Sequence, residues 1–370
     1  MRPALELAAE AAAGADLAVV KAIPRSPDRL GVELRRPDGG MLAGQWFRHS
    51  GEALTAWDQT RRSAPTSGVR LVSGGLLLQP GGADRKLRGL HLMLATPGAV
   101  LVAHRPEKRA VLRQGAHRAT TYVKVVRPSR LAATAAAARL TVPGVATPQV
   151  LAVDEALGTV TCAELPGRTL FDLLADPTLT DGWIEKVGYA VGGAVRRLHQ
   201  AAVTTDLPSH DAAAELAVAR RWAALAAEHH LLGDRADAVH RLLAEAEEEL
   251  RVGTGPVVLL HRDLHDKQLL VDGLEVGMLD FDLAAFGDPA LDLANLLTHL
   301  DLRARQQRCS TERAQRCAAA VRQGYGPVPE DWRRRLAGYE LATRARLACV
   351  YAFRPAQAEV AAQLVRAPAR

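Results

Sequence analysis

Three polar side chains between residues 257 and 297 have the types and spacing needed for chemistry on phosphate groups. Asp263 lies in a polar loop, Gln268 ends that loop, and Asp280 follows a short apolar run. A carboxylate such as Asp263 can orient a hydroxyl nucleophile and accept its proton. The amide oxygen of Gln268 and the carboxylate of Asp280 are hard oxygen ligands, which suit Mg²⁺ when substrate phosphates complete its coordination.

Short strands are expected to position this group. The apolar residues 257–260 predict a buried strand before the loop. Residues 269–270 and 276–279 predict two further strands around Asp272-Gly273, which is a strong signal for a two-residue hairpin turn. Such a hairpin would bring the three polar side chains to one edge. An ordinary hairpin with solvated acids is the alternative interpretation.

The stretch resembles the catalytic core of kinases, in which H-x-D-x-x-x-x-N precedes a metal-binding Asp. Together with GDPALDLANLL at residues 287–297, it is similar to the aminoglycoside phosphotransferase and choline kinase-like superfamily. The resemblance implies that Asp263 is the catalytic base, that Gln268 and Asp280 bind the metal, and that His261 structures the loop. It also implies ATP and Mg²⁺ as cofactors and a backbone-binding role for Asp292.

Gln268 departs from the family pattern, which usually has Asn at this position. Gln keeps the amide oxygen but is longer by roughly 1.5 Å. Maltokinase-like members of the superfamily also carry Gln here. They also have an N-terminal cap that resembles residues 1–95 in size and place.

Residues 96–166 predict a nucleotide-binding lobe made of strands. Lys124 lies in a β-branched run and resembles the kinase lysine that pairs with the ATP phosphates. The turn before it lacks the family's Gly-rich loop and offers Arg105, Lys108 and Arg109 instead, and such basic side chains can bind phosphate. The following helix, residues 131–140, contains no acid that could pair with Lys124.

Residues 163–170 resemble the hinge of the superfamily, where main-chain groups bind adenine. The carbonyl of Ala163 is the expected acceptor. Pro166 has no N–H group, so the N–H of Leu165 is the expected donor. A simple linker before a helix is the alternative interpretation.

The composition, with 48% apolar and 24% charged residues in 370, predicts a globular protein. Glu6, Glu10 and Asp16 interrupt the region where a signal peptide would be apolar, and there is no apolar stretch of ~20 residues. We therefore expect a cytoplasmic protein without a membrane partner. The net charge is +6, but no basic run is interleaved with aromatic residues, so no nucleic-acid partner is expected. The oligomeric state stays open.

These patterns predict an α+β, bilobal protein kinase-like fold with an N-terminal α+β cap. Residues 1–95 would form the cap, 96–166 the nucleotide-binding lobe, and 167–370 a helical lobe with the catalytic and metal site. Within the helical lobe, His229 and His230 have no partner at metal-binding spacing and are expected at the surface.

The function predicted from these features is ATP- and Mg²⁺-dependent phosphorylation of a hydroxyl group on a small molecule. Residues 301–370 contain fourteen arginines and six acidic residues, a balance of +8, which favours a neutral or anionic acceptor over a polycationic aminoglycoside. A non-catalytic kinase-like module that binds nucleotide or a partner is the alternative. No A-P-E-like segment follows Asp280, so a protein kinase is not expected.

Overall fold

A computed structural model describes residues 2–115, 120–203, 206–251, 253 and 255–366. The N-terminal part contains two helices and a five-stranded antiparallel sheet, followed by a third helix. In chain order these elements are α1 (Ala4–Ala13), β1 (Ala18–Ser26), β2 (Arg29–Arg35), β3 (Met41–Phe47), α2 (Ser50–Ser63), β4 (Arg70–Val72), β5 (Leu76–Leu78) and α3 (Arg88–Leu94). The sheet order is β1-β2-β3-β5-β4.

A second antiparallel sheet follows, with the order β6-β7-β8-β10-β9. Its elements are β6 (Val100–Arg105), β7 (Arg109–Gln114), β8 (Thr121–Val126), α4 (Pro128–Ala138), β9 (Val150–Asp154) and β10 (Thr159–Ala163). Pro128 begins α4, where its fixed φ and missing N–H are tolerated. Helix α3 packs against this sheet through Leu90, which lies in one buried cluster with Leu112 and Val123.

The rest of the described chain is mainly helical. It contains β11 (Arg168–Thr169), α5 (Leu170–Ala175), α6 (Asp181–Gln200), β12 (Ser209–His210), α7 (Ala212–Glu228), α8 (Ala236–Leu250), β13 (Val258–Leu260), β14 (Leu269–Asp272), β15 (Glu275–Met278), β16 (Ala285–Gly287), α9 (Ala290–Arg305), α10 (Thr311–Tyr325), α11 (Glu330–Ala352) and α12 (Ala358–Val365). No helix in the described residues is long and apolar enough to cross a bilayer.

The predicted hairpin is present as β14 and β15, with its turn shifted by one residue. Asp272 pairs with Glu275, so Gly273 and Leu274 form the two-residue loop. Gly273 has φ of +60°, a conformation that glycine adopts without a steric penalty. The strand before the loop that contains Asp263, β13, does not join this hairpin; it pairs with β16, which the sequence analysis did not predict.

The N-terminal sheet shares a hydrophobic core with the helical lobe. Leu30 and Trp46 lie in one buried cluster with Leu243 and Phe353 from the other end of the chain. His229 is buried in this region, with its ring 5.2 Å from that of Phe353, so the predicted surface position is wrong. The error arises because the apolar surface that covers His229 comes from distant segments. The predicted boundaries near residues 95 and 166 stay predictions.

Candidate active site

A buried acid on α9 holds the loop that contains Asp263. The two carboxylate oxygens of Asp292 accept hydrogen bonds from the backbone N–H groups of His261, at 2.7 Å, and Arg262, at 2.6 Å. Arg262 has φ of +69°, which is unfavourable for a residue with a side chain, so these bonds stabilise a strained turn. The ring Nε2 of His261 donates to the carbonyl of Leu279 at 2.7 Å and ties the loop to the hairpin.

Asp280 and Gln268 meet at the open end of the hairpin. The N–H of Leu279 donates to the carbonyl of Gln268 at 2.9 Å, so the residues that follow β15 lie beside the end of the loop that contains Asp263. Asp280 itself has φ of +64°, in the left-handed region. Both side chains line a cavity of about 240 Å³ between the second sheet and the helical lobe.

The predicted hinge residues line the same cavity. Ala163 and Leu165 lie along its wall with Lys124, and Leu140 and Leu270 supply apolar surface. Among the described residues, no protein acceptor binds the backbone N–H of Leu165. That donor is available to a ligand, and the apolar lining suits a flat aromatic ring.

A second cavity of about 360 Å³ contains the charged groups. Asp280 lines both cavities, so the two spaces meet at its side chain. The sequence-predicted residues Asp263 and Arg109 also line this second space, together with Asp282. Further cations surround it from the β6–β7 turn and from the start of α4: Arg105, Lys108, Arg127 and Arg130.

Lys124 pairs with two acids that lie far away in sequence. Its Nζ lies 2.8 Å from an oxygen of Asp280 and 2.8 Å from an oxygen of Asp282. Arg109 approaches the same carboxylates at 3.2 Å and 3.1 Å. Helix α4 contains no acid, as the sequence showed, and these two aspartates supply the missing partners.

The pKa values of Asp280, Lys124 and Arg109 are each shifted in the direction that favours the ionised form. Burial opposes charge on Asp280, but Lys124 and Arg109 outweigh it and hold the pKa of the Asp280 carboxyl below its usual range. Burial likewise opposes charge on Lys124, but Asp280 and Asp282 raise the pKa of its amine. An ionised Asp280 beside the Gln268 amide is the donor chemistry that a hard divalent cation requires.

The N-terminal sheet holds the basic β6–β7 turn through a buried glutamate. Glu107 is only 7% exposed and lies within 2.8 Å of Arg85 and of Lys86, and Arg29 of β2 also binds it. The N–H of Glu107 donates to Asp84 at 2.6 Å. The turn that carries Arg105, Lys108 and Arg109 is therefore fixed in place by the N-terminal part. Sequence reasoning missed this contact.

Replacing Glu107 with Gln is expected to lower the free energy of unfolding by about 3 kcal/mol at pH 7. Burial raises the pKa of Glu107, but Lys86, Arg29 and Arg85 outweigh it and lower that pKa from 4.5 to about 2. The ionised carboxylate therefore stabilises the folded state. A depressed carboxyl pKa stabilises the fold above the unfolded pKa and loses this effect as the pH falls towards 2. The difference between variant and wild type should therefore shrink by about 1 kcal/mol between pH 7 and pH 4 in urea unfolding.

Glu155→Gln is the matched control for Glu107→Gln, because Glu155 is exposed in the β9–β10 turn. It should leave unfolding unchanged at both pH values. Equal stability of the Glu107 variant and wild type at pH 7 would contradict the structural role given to the buried carboxylate.

The described structure contains another group of potential metal ligands, His265, Asp266 and His299. Their ligand atoms all lie within 4.8 Å of one another. Arg303 already donates hydrogen bonds to both carboxylate oxygens of Asp266, at 2.6 Å and 2.7 Å. The same guanidinium lies 3.3 Å from Nδ1 of His299. A buried arginine at the centre of the group opposes a metal cation, so we assign this cluster a structural role.

A sheet lobe and a helical lobe that meet at a cleft with a Lys–Asp pair define a protein kinase-like phosphotransferase. Residues 99–339 match the model of the phosphotransferase enzyme family, and the chain belongs to that family. It is therefore a small-molecule phosphotransferase, and the non-catalytic module is set aside. No curated protein matches the chain.

Solved structures support the fold. A thermostable mutant of aminoglycoside phosphotransferase APH(4)-Ia, in its apo form, has a TM-score of 0.54 at 15% identity and covers 72% of this chain and 91% of that chain. Amicoumacin kinase hAmiN has a TM-score of 0.50 at 14% identity, with 73% and 86% covered. A choline/ethanolamine kinase family protein from Mesorhizobium loti has a TM-score of 0.49 at 18% identity, with 75% and 91% covered. The APH(4)-Ia and hAmiN structures confirm the predicted bilobal fold.

Proposed function

We propose that this chain transfers the terminal phosphate of ATP to a hydroxyl group of a small molecule. The observation that carries the proposal is the pair of cavities that meet at Asp280, one apolar and one charged. The apolar cavity suits the adenine ring, and the charged one suits the phosphates. An APH(4)-Ia mutant was solved with ADP and hygromycin B, and hAmiN with AMP-PNP and Ca²⁺, which supports nucleotide use.

Each predicted residue has a role in this proposal. Asp263 orients the acceptor hydroxyl and accepts its proton, while Lys124 and Arg109 neutralise phosphate oxygens. The carbonyl of Ala163 and the N–H of Leu165 bind the adenine edge. Catalysis of this kind depends mainly on positioning and charge neutralisation.

Gln268 and Asp280 would hold Mg²⁺, and Asp282 is close enough to Lys124 and Arg109 to share in the same charge balance. When bound, Mg²⁺ supplies positive charge that neutralises the phosphate oxygens. The amide of Gln268 and the ionised carboxylate of Asp280 fit that ion chemically. In the structure, Lys124 and Arg109 balance the two aspartates.

The charge argument for the acceptor changes once the structure is considered. Most arginines of residues 301–366 pair with acids: Arg313 binds Asp181 and Arg334 binds Glu249, for example. The net charge of this segment therefore says little about the acceptor. The cations that lie around the cleft are the better guide to the charge of the acceptor. They still favour a neutral or anionic hydroxyl compound over an aminoglycoside.

Labelled ATP and a panel of hydroxyl compounds test the proposed function. The panel contains neutral sugars and polyols, their acids and phosphate esters, and aminoglycosides. We expect transfer to at least one compound, and we expect it to require both ATP and Mg²⁺. We also expect Mg-ATP to raise the melting temperature. Failure of both the transfer and the thermal shift would overturn the proposal.

A further inference from the structure

Four cations come from four separate segments of the chain, and one of them, Arg105, lines the charged cavity together with Asp263. Lys21 lies on β1, Arg105 ends β6, Lys267 lies in the catalytic loop, and Arg354 follows α11. Within the described parts of the chain, none of the four forms an ion pair with a carboxylate. The Nε atom of Arg354 is buried without a hydrogen-bond partner. Unpaired cations are costly to gather in one place unless an anion joins them.

The backbone brings the two ends of the chain together at this group. The N–H of Ala22 donates to the carbonyl of Phe353 at 2.8 Å, so Lys21 and Arg354 flank one hydrogen bond between β1 and the end of the helical lobe. The N-terminal part thus places the cation Lys21 beside Arg354.

Aromatic rings support two of these side chains without using their hydrogen-bond donors. The guanidinium carbon of Arg354 lies 3.9 Å from the ring centroid of Tyr351, and the Nζ of Lys267 lies 4.2 Å from that of Phe171. Such contacts hold a cation in place while its N–H groups stay available. Arg105 lines the charged cavity together with Asp263, which connects the group to the proposed catalytic base.

The electrostatics show that these cations influence one another. Burial lowers the pKa of Lys21 to about 8, and the charges of Arg105, Arg354 and Lys267 add to this effect against the opposing charge of Glu33, which faces Lys21 on β2. At neutral pH Lys21 is still largely protonated, so a bound anion would relieve the repulsion and gain charged hydrogen bonds.

We propose that the acceptor carries an anionic group, a carboxylate or a phosphate ester, in addition to the hydroxyl that receives phosphate. Lys21, Lys267 and Arg354 bind that group, while Arg105 lies between them and Asp263. This inference rests on the proposed function, because it assigns the acceptor of the same site. It also gives the N-terminal part a direct role in substrate binding.

The test measures acceptor binding with the nucleotide site filled by saturating Mg-AMP-PNP. Glucose, gluconate and glucose 6-phosphate are titrated into wild type and into the variants Lys21→Met and Lys267→Met. We expect wild type to bind at least one of the two anionic compounds ten or more times tighter than glucose, and each variant to lose about tenfold in affinity for it. The preferred anion distinguishes a carboxylate from a phosphate ester.

Lys186→Met is the matched control, because Lys186 is an exposed lysine on α6. It should bind the anionic compound as wild type does. Equal binding of glucose and both anions by wild type, or unchanged anion binding in both cleft variants, would overturn the inference. Wild type and all three variants should still show the thermal shift with Mg-AMP-PNP. Loss of that shift in wild type would count against the proposed function itself. In that case the anion titration is carried out without nucleotide, so that the inference is still tested.

Discussion

Asp263→Asn is expected to lower kcat by about 10³-fold while leaving the thermal shift with Mg-ATP close to that of wild type. The asparagine amide can still accept a hydrogen bond from the acceptor hydroxyl, but it cannot take the proton. Asp263 does not bind Lys124 or Arg109 in the structure, unlike Asp280, so its loss should leave the nucleotide groups in place. Steady-state kinetics with the best acceptor of the panel measure the effect.

Asp272→Asn is the control for Asp263→Asn, since Asp272 is an exposed residue at the hairpin turn. It should keep wild-type kcat. An Asp263→Asn variant that keeps more than a tenth of wild-type kcat would exclude Asp263 as the base. A variant that loses kcat together with the Mg-ATP thermal shift would instead indicate that the loop had moved.

The sequence predicted those parts of the site that lie close together along the chain. The hairpin turn and the acids that flank it fall within residues 257–297. Their arrangement could be predicted because it depends on local turn chemistry. Strand β8 with Lys124 was also predicted, since its β-branched run is a local signal. What the structure adds there is small, such as the shift of the turn to Gly273 and Leu274.

The partners of Lys124 were not predicted, and the reason is physical. Asp280 and Asp282 reach it across the cleft between the two lobes, from more than one hundred and fifty positions away in sequence. Helix α4 is the neighbour of Lys124 in sequence, and local order along the chain carries no information about a contact with distant residues. Only the packing of the lobes brings these charges together.

The role of Glu107 was hidden for a related reason. In sequence it belongs to a polar turn, Arg105-Pro106-Glu107-Lys108, which is typical of a solvent-exposed loop. In the structure it is buried by Arg29 and by Arg85, both from the N-terminal part. Helices α2 and α3 of the N-terminal part were not predicted either. The basic turn has no glycine-rich sequence, and ion pairs with the N-terminal part fix it in place.

Asp280→Asn is expected to abolish the Mg²⁺-dependent part of the thermal shift with ATP and to lower kcat by on the order of 10³-fold. The substitution keeps the backbone intact, because Asn tolerates the left-handed conformation that Asp280 adopts at φ of +64°. It removes the negative charge that Lys124 and Arg109 share. A Mg²⁺ titration at fixed ATP, followed by thermal shift and by kinetics, measures both effects.

A double-mutant cycle with Lys124→Met separates the loss of the metal ligand from general damage to the cleft. The Lys124 amine lies 2.8 Å from Asp280, so the two substitutions should be strongly non-additive, and the double variant should be little worse than Asp280→Asn alone. Additive losses would contradict a shared charge network. A single Asp280→Asn variant that keeps its Mg²⁺ dependence would contradict the assignment of Asp280 as a ligand, because an amide in place of the carboxylate leaves the ion without its main negative charge.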